Sequence, residues 1–233
     1  LHHRREACTA PVLVPDPRLP GPSEQQGKHA GDPKAPNEFA ELHCVSNYSF
    51  LRGASHPEEL VKQAHALGYK AIAITDECTY AGLVKAHMAA KDCGIKLIIG
   101  AEFSLTLNRE NSKDGEYAVE KIVVIAPDRS TYGQLSAFIS KLRRRANKGE
   151  YHATLDDFRF GMKGCFVLWT PTHKGISELI EHGHALKEVF AELWIALELF
   201  RDGRDLDKTA NALTLSMRLD LPIVASNNVH THC

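Results

Sequence analysis

No cysteines in this chain have the spacing of a zinc ribbon or a redox dithiol. Cys8, Cys44, Cys78, Cys93, Cys165 and Cys233 stand apart, with no C-x-x-C among them. Thiols scattered this way, mostly inside strand-like or helix-like segments, suit a reducing compartment, so the cytoplasm is the expected location. There is no excess of charge of one sign either. The formal net charge is −1, so no global basic field draws in nucleic acid, and any such contact has to come from a local patch. No apolar run is long enough to span a bilayer, and no membrane partner is expected. No charged segment followed by an apolar one opens the chain, so secretion is not indicated.

What is present suits one α/β domain with a tail. The chain has 233 residues, 43% of them hydrophobic, enough to bury a sizeable core. It begins at Leu1 and stops at Cys233, and we read it as a fragment. Residues 1–38 contain Pro11, Pro15, Pro17, Pro20, Pro22, Pro33 and Pro36 and show no apolar period, which predicts a flexible leader. The domain is expected over residues 39–233.

From Phe39 the pattern alternates between strand and helix. Phe39–Cys44 and Lys70–Thr75 read as strands. Between them, Ser55-His-Pro-Glu58 fits a capping box that opens a helix, which Gly68 stops. A helix over Tyr80–Cys93 ends at Gly94. A long strand, Lys96–Leu107, leads through a polar turn at Asn108–Gly115 to a return strand, Glu120–Ala126. Further strands at Cys165–Trp169, Trp194–Leu199 and Leu221–Ser226 are separated by helices at Ile176–Phe190 and Leu206–Leu219. Repeated β-α units predict a mostly parallel sheet, with closure into a barrel. His43, Asp76, Glu77, Glu102 and His230 all fall at strand ends, where α/β barrels keep their chemistry.

Four segments carry a family resemblance. They are Leu42-His-Cys-Val-Ser-Asn-Tyr-Ser-Phe-Leu-Arg-Gly-Ala-Ser55, Ile74-Thr-Asp-Glu-Cys-Thr-Tyr-Ala-Gly82, Gly94-Ile-Lys-Leu-Ile-Ile-Gly-Ala-Glu-Phe103 and Ala225-Ser-Asn-Asn-Val-His230. In this order they resemble the N-terminal PHP domain of bacterial C-family DNA polymerases, of the error-prone, translesion type related to the DNA polymerase III alpha subunit. The resemblance implies an α/β fold, a distorted seven-stranded β/α barrel. It also implies a parent DNA-directed DNA polymerase, a nucleotidyltransferase acting in repair and translesion synthesis. That parent would have Mg²⁺ in its polymerase core, DNA as a partner, and other replication or translesion proteins around it.

Active members of the resembled family gather several metal ions on histidines and carboxylates. Carried over position by position, His43, Glu102 and His230 match the expected ligands, and Glu77 stands where a histidine is expected. Val45 replaces a second histidine, Arg52 an acid, Lys121 a histidine and Asn228 an aspartate. Arg52 and Lys121 add like charge, worth about 4 kcal/mol for a pair 4 Å apart at an effective dielectric near 20. His43, Glu77, Glu102 and His230 are thus candidates for at most one residual Zn²⁺ or Mg²⁺, with no catalytic residue in the fragment itself. The alternative for Glu102 is a salt bridge to Arg52 or Lys121 in place of the metal. Each histidine alone also reads as a satisfied core residue.

Arg143, Arg144 and Arg145 are candidates for nucleic-acid contact, although a charge run at a helix end also suits a solvated face. His182 and the other helix or loop histidines carry no assigned role, and Trp169 and Trp194 read as packing anchors. Two function classes stand: a non-catalytic module of an error-prone polymerase, or a metal-dependent phosphoesterase or 3′–5′ exonuclease.

Overall fold

The computed structural model describes residues 39–107, 118–159, 161–172 and 175–232. The expected leader and the expected turn at Asn108–Gly115 lie outside them. β1 (Ala40–Glu41), β2 (Ala71–Ile74) and β3 (Lys96–Leu107) pair in parallel, and β4 (Ala118–Ala126) returns antiparallel along β3. β6 (Phe166–Thr170) is antiparallel to β4, and β7 (Leu193–Leu197) and β8 (Ile223–Ala225) continue in parallel. The resulting curled sheet runs β1-β2-β3-β4-β6-β7-β8, with the two-residue β5 (Ala153–Thr154) paired to β3. Every strand of this path except β4 therefore points the same way. The hairpin return at β4 matches the strand read from sequence, whereas β5 and the one-turn helix α4 (Leu155–Phe158) carry no signal long enough to be read.

Local sequence explains the helices. α1 (Pro57–Ala66) places Pro57 at its first position and Glu58 and Glu59 in its first turn, where a fixed φ and negative charge both favour a helix start. Its cap corrects the sequence reading by one residue. His56, not Ser55, is the N-cap, and Glu59 Oε2 accepts from the His56 backbone N–H at 2.7 Å. Ser55 is buried and serves the far end of the chain, accepting from the His232 backbone N–H at 2.9 Å. α2 (Leu83–Cys93) starts three residues later than expected and stops at Gly94, whose φ of 74° is the left-handed value that glycine adopts without cost. α3 (Arg129–Arg145) is capped by Asp128, whose Oδ1 accepts from the Thr131 N–H at 2.9 Å. α5 (Ile176–Val189) and α6 (Asp205–Leu219) complete the outer layer.

The core has three parts. Phe103, Leu135, Phe138, Phe158, Trp169, Leu186 and Leu215 join the sheet to the later helices. Leu60, Val61, Ile72, Ile74, Ala86 and Ala90 pack α1 and α2 on β2. The third part fills the concave side of the sheet: Val123, Ile125, Leu168 and Ala196, with Leu42, Ile98, Trp194 and Val224 against them. Below this layer opens a largely apolar cavity of about 840 Å³. Strand parity then puts Glu102, Lys121, Thr170 and Glu198 on the same concave side, at the opposite end.

The two edges of the sheet meet at that end. Cys44 and Val229 form a parallel bridge, with Val45 N–H donating to Val229 O at 2.8 Å and Val229 N–H to His43 O at 2.9 Å. The side chain of Glu41 clamps the junction. Its Oε1 accepts from the backbone N–H groups of Leu42, His43 and Asn227 at 3.0–3.1 Å, and its Oε2 from Asn227 Nδ2 at 2.8 Å. Glu41→Ala strands these donors, and a buried unsatisfied group costs about 1–3 kcal/mol. We expect Glu41→Ala to lower the unfolding free energy by about 2–4 kcal/mol in urea titration with an unchanged m-value, and Asn227→Ala to cost about half of that.

Candidate functional site: a charge-paired rim

The short strand β1 delivers His43 to the rim, and the loop that follows turns back over it. Asp76, at the end of β2, organises that loop. It accepts from the Ser46 N–H at 2.8 Å, the Ser46 hydroxyl at 2.7 Å and the Ser49 hydroxyl at 2.8 Å. Gly53 is required where the loop closes. A Cβ there would lie 2.0 Å from the Ser46 carbonyl oxygen, so no other residue fits without moving the backbone. This closure points Arg52 into the rim.

Glu102, at the centre of β3, is fully buried and holds the site together. The Arg52 guanidinium grips it with both terminal nitrogens, Nη2 to Oε2 at 2.8 Å and Nη1 to Oε1. Lys121 Nζ donates to Oε1 at 3.3 Å from β4. His43 Nε2 donates to Oε2 at 2.8 Å. The other ring nitrogen of His43 donates to Glu198 Oε1 at 2.6 Å, and Ser226 Oγ adds a bond to the same oxygen at 3.2 Å. Arg52 also donates to Glu77 Oε2 at 2.9 Å, while Glu77 Oε1 accepts from Tyr151 Oη at 2.8 Å and Ser104 Oγ at 3.2 Å. Three cations, His43, Arg52 and Lys121, thus meet three carboxylates, Glu77, Glu102 and Glu198.

The electrostatics follow from this packing. Burial alone would push the His43 pKa down, but the hydrogen bonds to Glu102 and Glu198 outweigh it and lift the value to about 9. Burial alone would raise Glu102, but its bonds to His43 and Arg52 hold it well below the usual carboxylate range. His230 lies at the edge. Its Nε2 is 2.8 Å from Asn228 Oδ1, and partial burial together with the charge of Arg52 lowers its pKa.

The four sequence-predicted ligands therefore converge, but three of them are already engaged. Both nitrogens of the His43 imidazole donate hydrogen bonds, so neither offers a lone pair to a metal. Both oxygens of Glu102 are covered by cations, and Glu77 is shared between Arg52 and Tyr151. Among the described residues no group of three or more His, Cys, Asp or Glu side chains is arranged to hold a metal ion. As arranged, the donor set does not fit a divalent cation, because a guanidinium and an ammonium lie on its carboxylates.

The arginine run divides by role. Arg143 turns inward. It donates to Cys78 O at 3.1 Å and Glu77 O at 2.9 Å and packs on the Tyr151 ring, so it fixes the loop that carries Glu77. Arg145 pairs with Asp157, and Arg144 is exposed. Two buried groups were missed from sequence. Glu198 lay inside a segment read as strand to Leu199. His182, read as having no role, holds the buried Glu120 at 2.9 Å on the convex side of the sheet, where Trp169 Nε1 and Thr172 Oγ1 also bond that carboxylate.

The curled, mostly parallel β/α sheet defines an α/β half-barrel fold. Two solved structures share the fold. One is a protein assigned as a metal-dependent phosphoesterase from Bifidobacterium adolescentis (TM-score 0.59, 18% identity, 84% of this chain and 89% of that one). The other is an amidohydrolase from Chromobacterium violaceum with bound sulfate and no metal (TM-score 0.62, 15% identity, 82% and 87%). A profile of the PHP domain matches residues 41–199, and the chain belongs to the PHP domain family. Among curated relatives it is similar to error-prone DNA polymerases of Methylococcus capsulatus (47% identity over 196 residues) and Teredinibacter turnerae (42% over 195). The aligned part covers 83% of this chain, and the chain spans only 17–18% of those relatives' length.

Arg52 and His43 give the site testable energetics. Removing one partner of a buried ion pair costs about 3–5 kcal/mol; Arg52 keeps some solvent contact, so Arg52→Met is expected to cost about 2–4 kcal/mol by urea unfolding. His43 has a folded pKa above its unfolded value. Its stabilisation is fully present below pH 6.5 and is lost as pH rises through about 9. The melting temperature of the unmutated chain should therefore fall between pH 7 and 10, and His43→Gln should flatten that part of the profile.

Proposed function

We propose that the chain is the PHP module of an error-prone DNA-directed DNA polymerase, a cytoplasmic nucleotidyltransferase of DNA repair and translesion synthesis. The module itself is structural, with a degenerate metal site. The parent's substrate is DNA, its Mg²⁺ belongs to a polymerase core elsewhere in the polypeptide, and other replication or translesion proteins are its partners. One observation carries the structural half of this reading. In a chain 40–47% identical to relatives named error-prone DNA polymerase, the guanidinium of Arg52 lies on the carboxylates of Glu77 and Glu102, with Lys121 behind it. Hydrolysis of a phosphodiester on such a rim calls for divalent ions that lower the pKa of a bound water and neutralise the leaving oxygen. Here the carboxylates that would hold them are neutralised from within.

The competing reading, a metal-dependent phosphoesterase or 3′–5′ exonuclease, rests on fold likeness alone. Arg144 and Arg145 are both exposed, but Arg145 is paired with Asp157, so a DNA contact would fall first to Arg144, with Lys141 one turn before.

The test is metal content and hydrolysis on the purified chain. We expect no stoichiometric Zn²⁺, Mn²⁺ or Mg²⁺, no metal-stimulated release of nucleotides from a 3′ end or of phosphate from a monoester, and a melting temperature that EDTA leaves in place. Hydrolysis that needs metal and vanishes in both His43→Ala and His230→Ala would overturn the structural reading, as would a clear loss of melting temperature on chelation.

A further inference from the structure

The sheet is open at its base. β1 and β8 end the pairing order, and among the described residues they are joined at the rim, through the Cys44–Val229 bridge and the Glu41 clamp. A closed barrel fills its interior with side chains from every strand. Here the base stays unfilled, and the cavity of about 840 Å³ is the result. It has two lobes. On the concave side its wall is Ile98, Leu168, Trp194 and Val224, with Phe166 edge-on to Trp194 at a centroid distance of 5.4 Å. Side chains alternate along a strand, so Leu97 and Ile99 face the other way, toward α2 and α3. There the lining continues with Leu83 and Tyr132, and Tyr132 is stacked on Tyr80 at 5.4 Å. The cavity therefore turns around the base of β3 and β4 from one face of the sheet to the other.

Its charges are lopsided. Lys96, the first residue of β3, and Arg129, the first of α3, both line the cavity and are exposed, as is His87 on α2. Among the described residues neither Lys96 nor Arg129 forms an ion pair or a side-chain hydrogen bond. Asp128 is the one acid in the lining, and it is committed as the cap of α3. Its Oδ1 accepts from the Thr131 N–H at 2.9 Å and from the Thr131 hydroxyl at 3.1 Å. The lining thus combines apolar walls with unanswered positive charge at the mouth. Mostly apolar pockets of about 300–1,000 Å³ with a few polar groups are the usual form of a small-ligand site. The charge then selects an anionic head, and the bend selects the body. A rigid ring system does not follow a turn around the end of a sheet, whereas an acyl chain does.

We propose that this cavity binds one long-chain carboxylate, its acyl chain laid along the bend between the two lobes and its carboxylate held at the mouth by Lys96 and Arg129. The site lies at the opposite end of the sheet from the charge-paired rim and does not depend on the reading of the chain as a polymerase module. Filling it takes Phe166, now 40% exposed, and Tyr132, 36% exposed, out of water, which is the favourable term that an apolar chain brings.

Dodecanoate is the probe, kept below its micelle concentration and titrated into the purified chain by calorimetry and by tryptophan emission, with dodecyltrimethylammonium and dodecanol as comparators. Of the chain's two tryptophans, Trp194 lines the cavity and Trp169 is fully buried against Glu120, so Trp194 reports the site. We expect saturable binding of one dodecanoate per chain, a melting temperature that rises with ligand, and an emission change that Trp194→Phe abolishes. Lys96→Glu/Arg129→Glu alters exposed side chains without ion-pair partners, so the free chain should melt as before. It should weaken dodecanoate about tenfold, as two surface ion pairs turned into repulsions allow, and leave dodecanol binding in place. Val224→Phe fills the concave lobe and should weaken both ligands; if that variant fails to fold, the charge-reversed chain still decides. Equal affinity for the carboxylate and the ammonium, unchanged dodecanoate affinity in the charge-reversed chain, an emission change that survives in Trp194→Phe, or no binding below the micelle concentration would each overturn the site. So would a dimer of the chain that Val224→Phe dissolves, because a second copy would then cover the cavity.

Discussion

A carboxylate taken fully out of water must be met by positive charge, and Glu102 sets that requirement for this molecule. Its burial in the middle of β3 makes a lone charge prohibitive. The chain meets it three times, from β1 with His43, from the following loop with Arg52 and from β4 with Lys121. Each cation then reaches a further partner or a fixed position of its own. His43 draws in Glu198, and Arg52 draws in Glu77. The hydrogen-bonded loop, its glycine at position 53 and the anchoring Asp76 all serve to hold one guanidinium at one spot. Replacement of such a network by apolar side chains is often neutral or stabilising, so its value here lies in fixing the rim's geometry more than in raw stability.

The rim also shows how one end of a curled sheet can be tied together by its own side chains. A metal cluster would tie several strands together through coordination. Here charge-assisted hydrogen bonds tie β1, β3, β4 and the end of β7, and backbone pairing of Cys44 with Val229 joins the sheet's edges. The apolar layer beneath, with Val123, Leu168 and Ala196, keeps water from the underside of the ions and so strengthens each pair.

Much of this was legible in the sequence, and the limits have physical causes. The β/α rhythm was readable because Ala71–Ile74 is buried throughout and Gly68 and Gly94 punctuate the helices. His43, Glu102, Arg52 and Lys121 were readable because the motif order matches them to ligand positions of the resembled family, although Glu102 lies in the middle of β3 and Arg52 in a loop. Their pairing was one of two readings until the fold brought residues fifty-nine and nineteen positions apart onto one carboxylate. Glu198 was hidden for a simple reason. An acid inside an apolar strand run gives no local sign of its face, and its partner His43 lies 155 residues away. His182 was hidden likewise, since Glu120 is 62 residues distant and on another element. The cap slipped by one residue because Ser55 and His56 both suit a helix start locally, and only the returning C-terminal segment decides between them.

The clamp that Glu41 places on Asn227 spans 186 residues of chain. A ribosome adding about 5–20 residues each second needs roughly ten to forty seconds to cover that distance. Through all of that time β1 has its outer edge bare and the sheet is an open ribbon with an unpaired flank, and for most of it His43 lacks Glu198. The order of synthesis therefore leaves the outer flank of β1, paired early by β2 on its other side, to be covered late. The newborn chain is most exposed to wrong pairing, and most in need of shelter, along that flank.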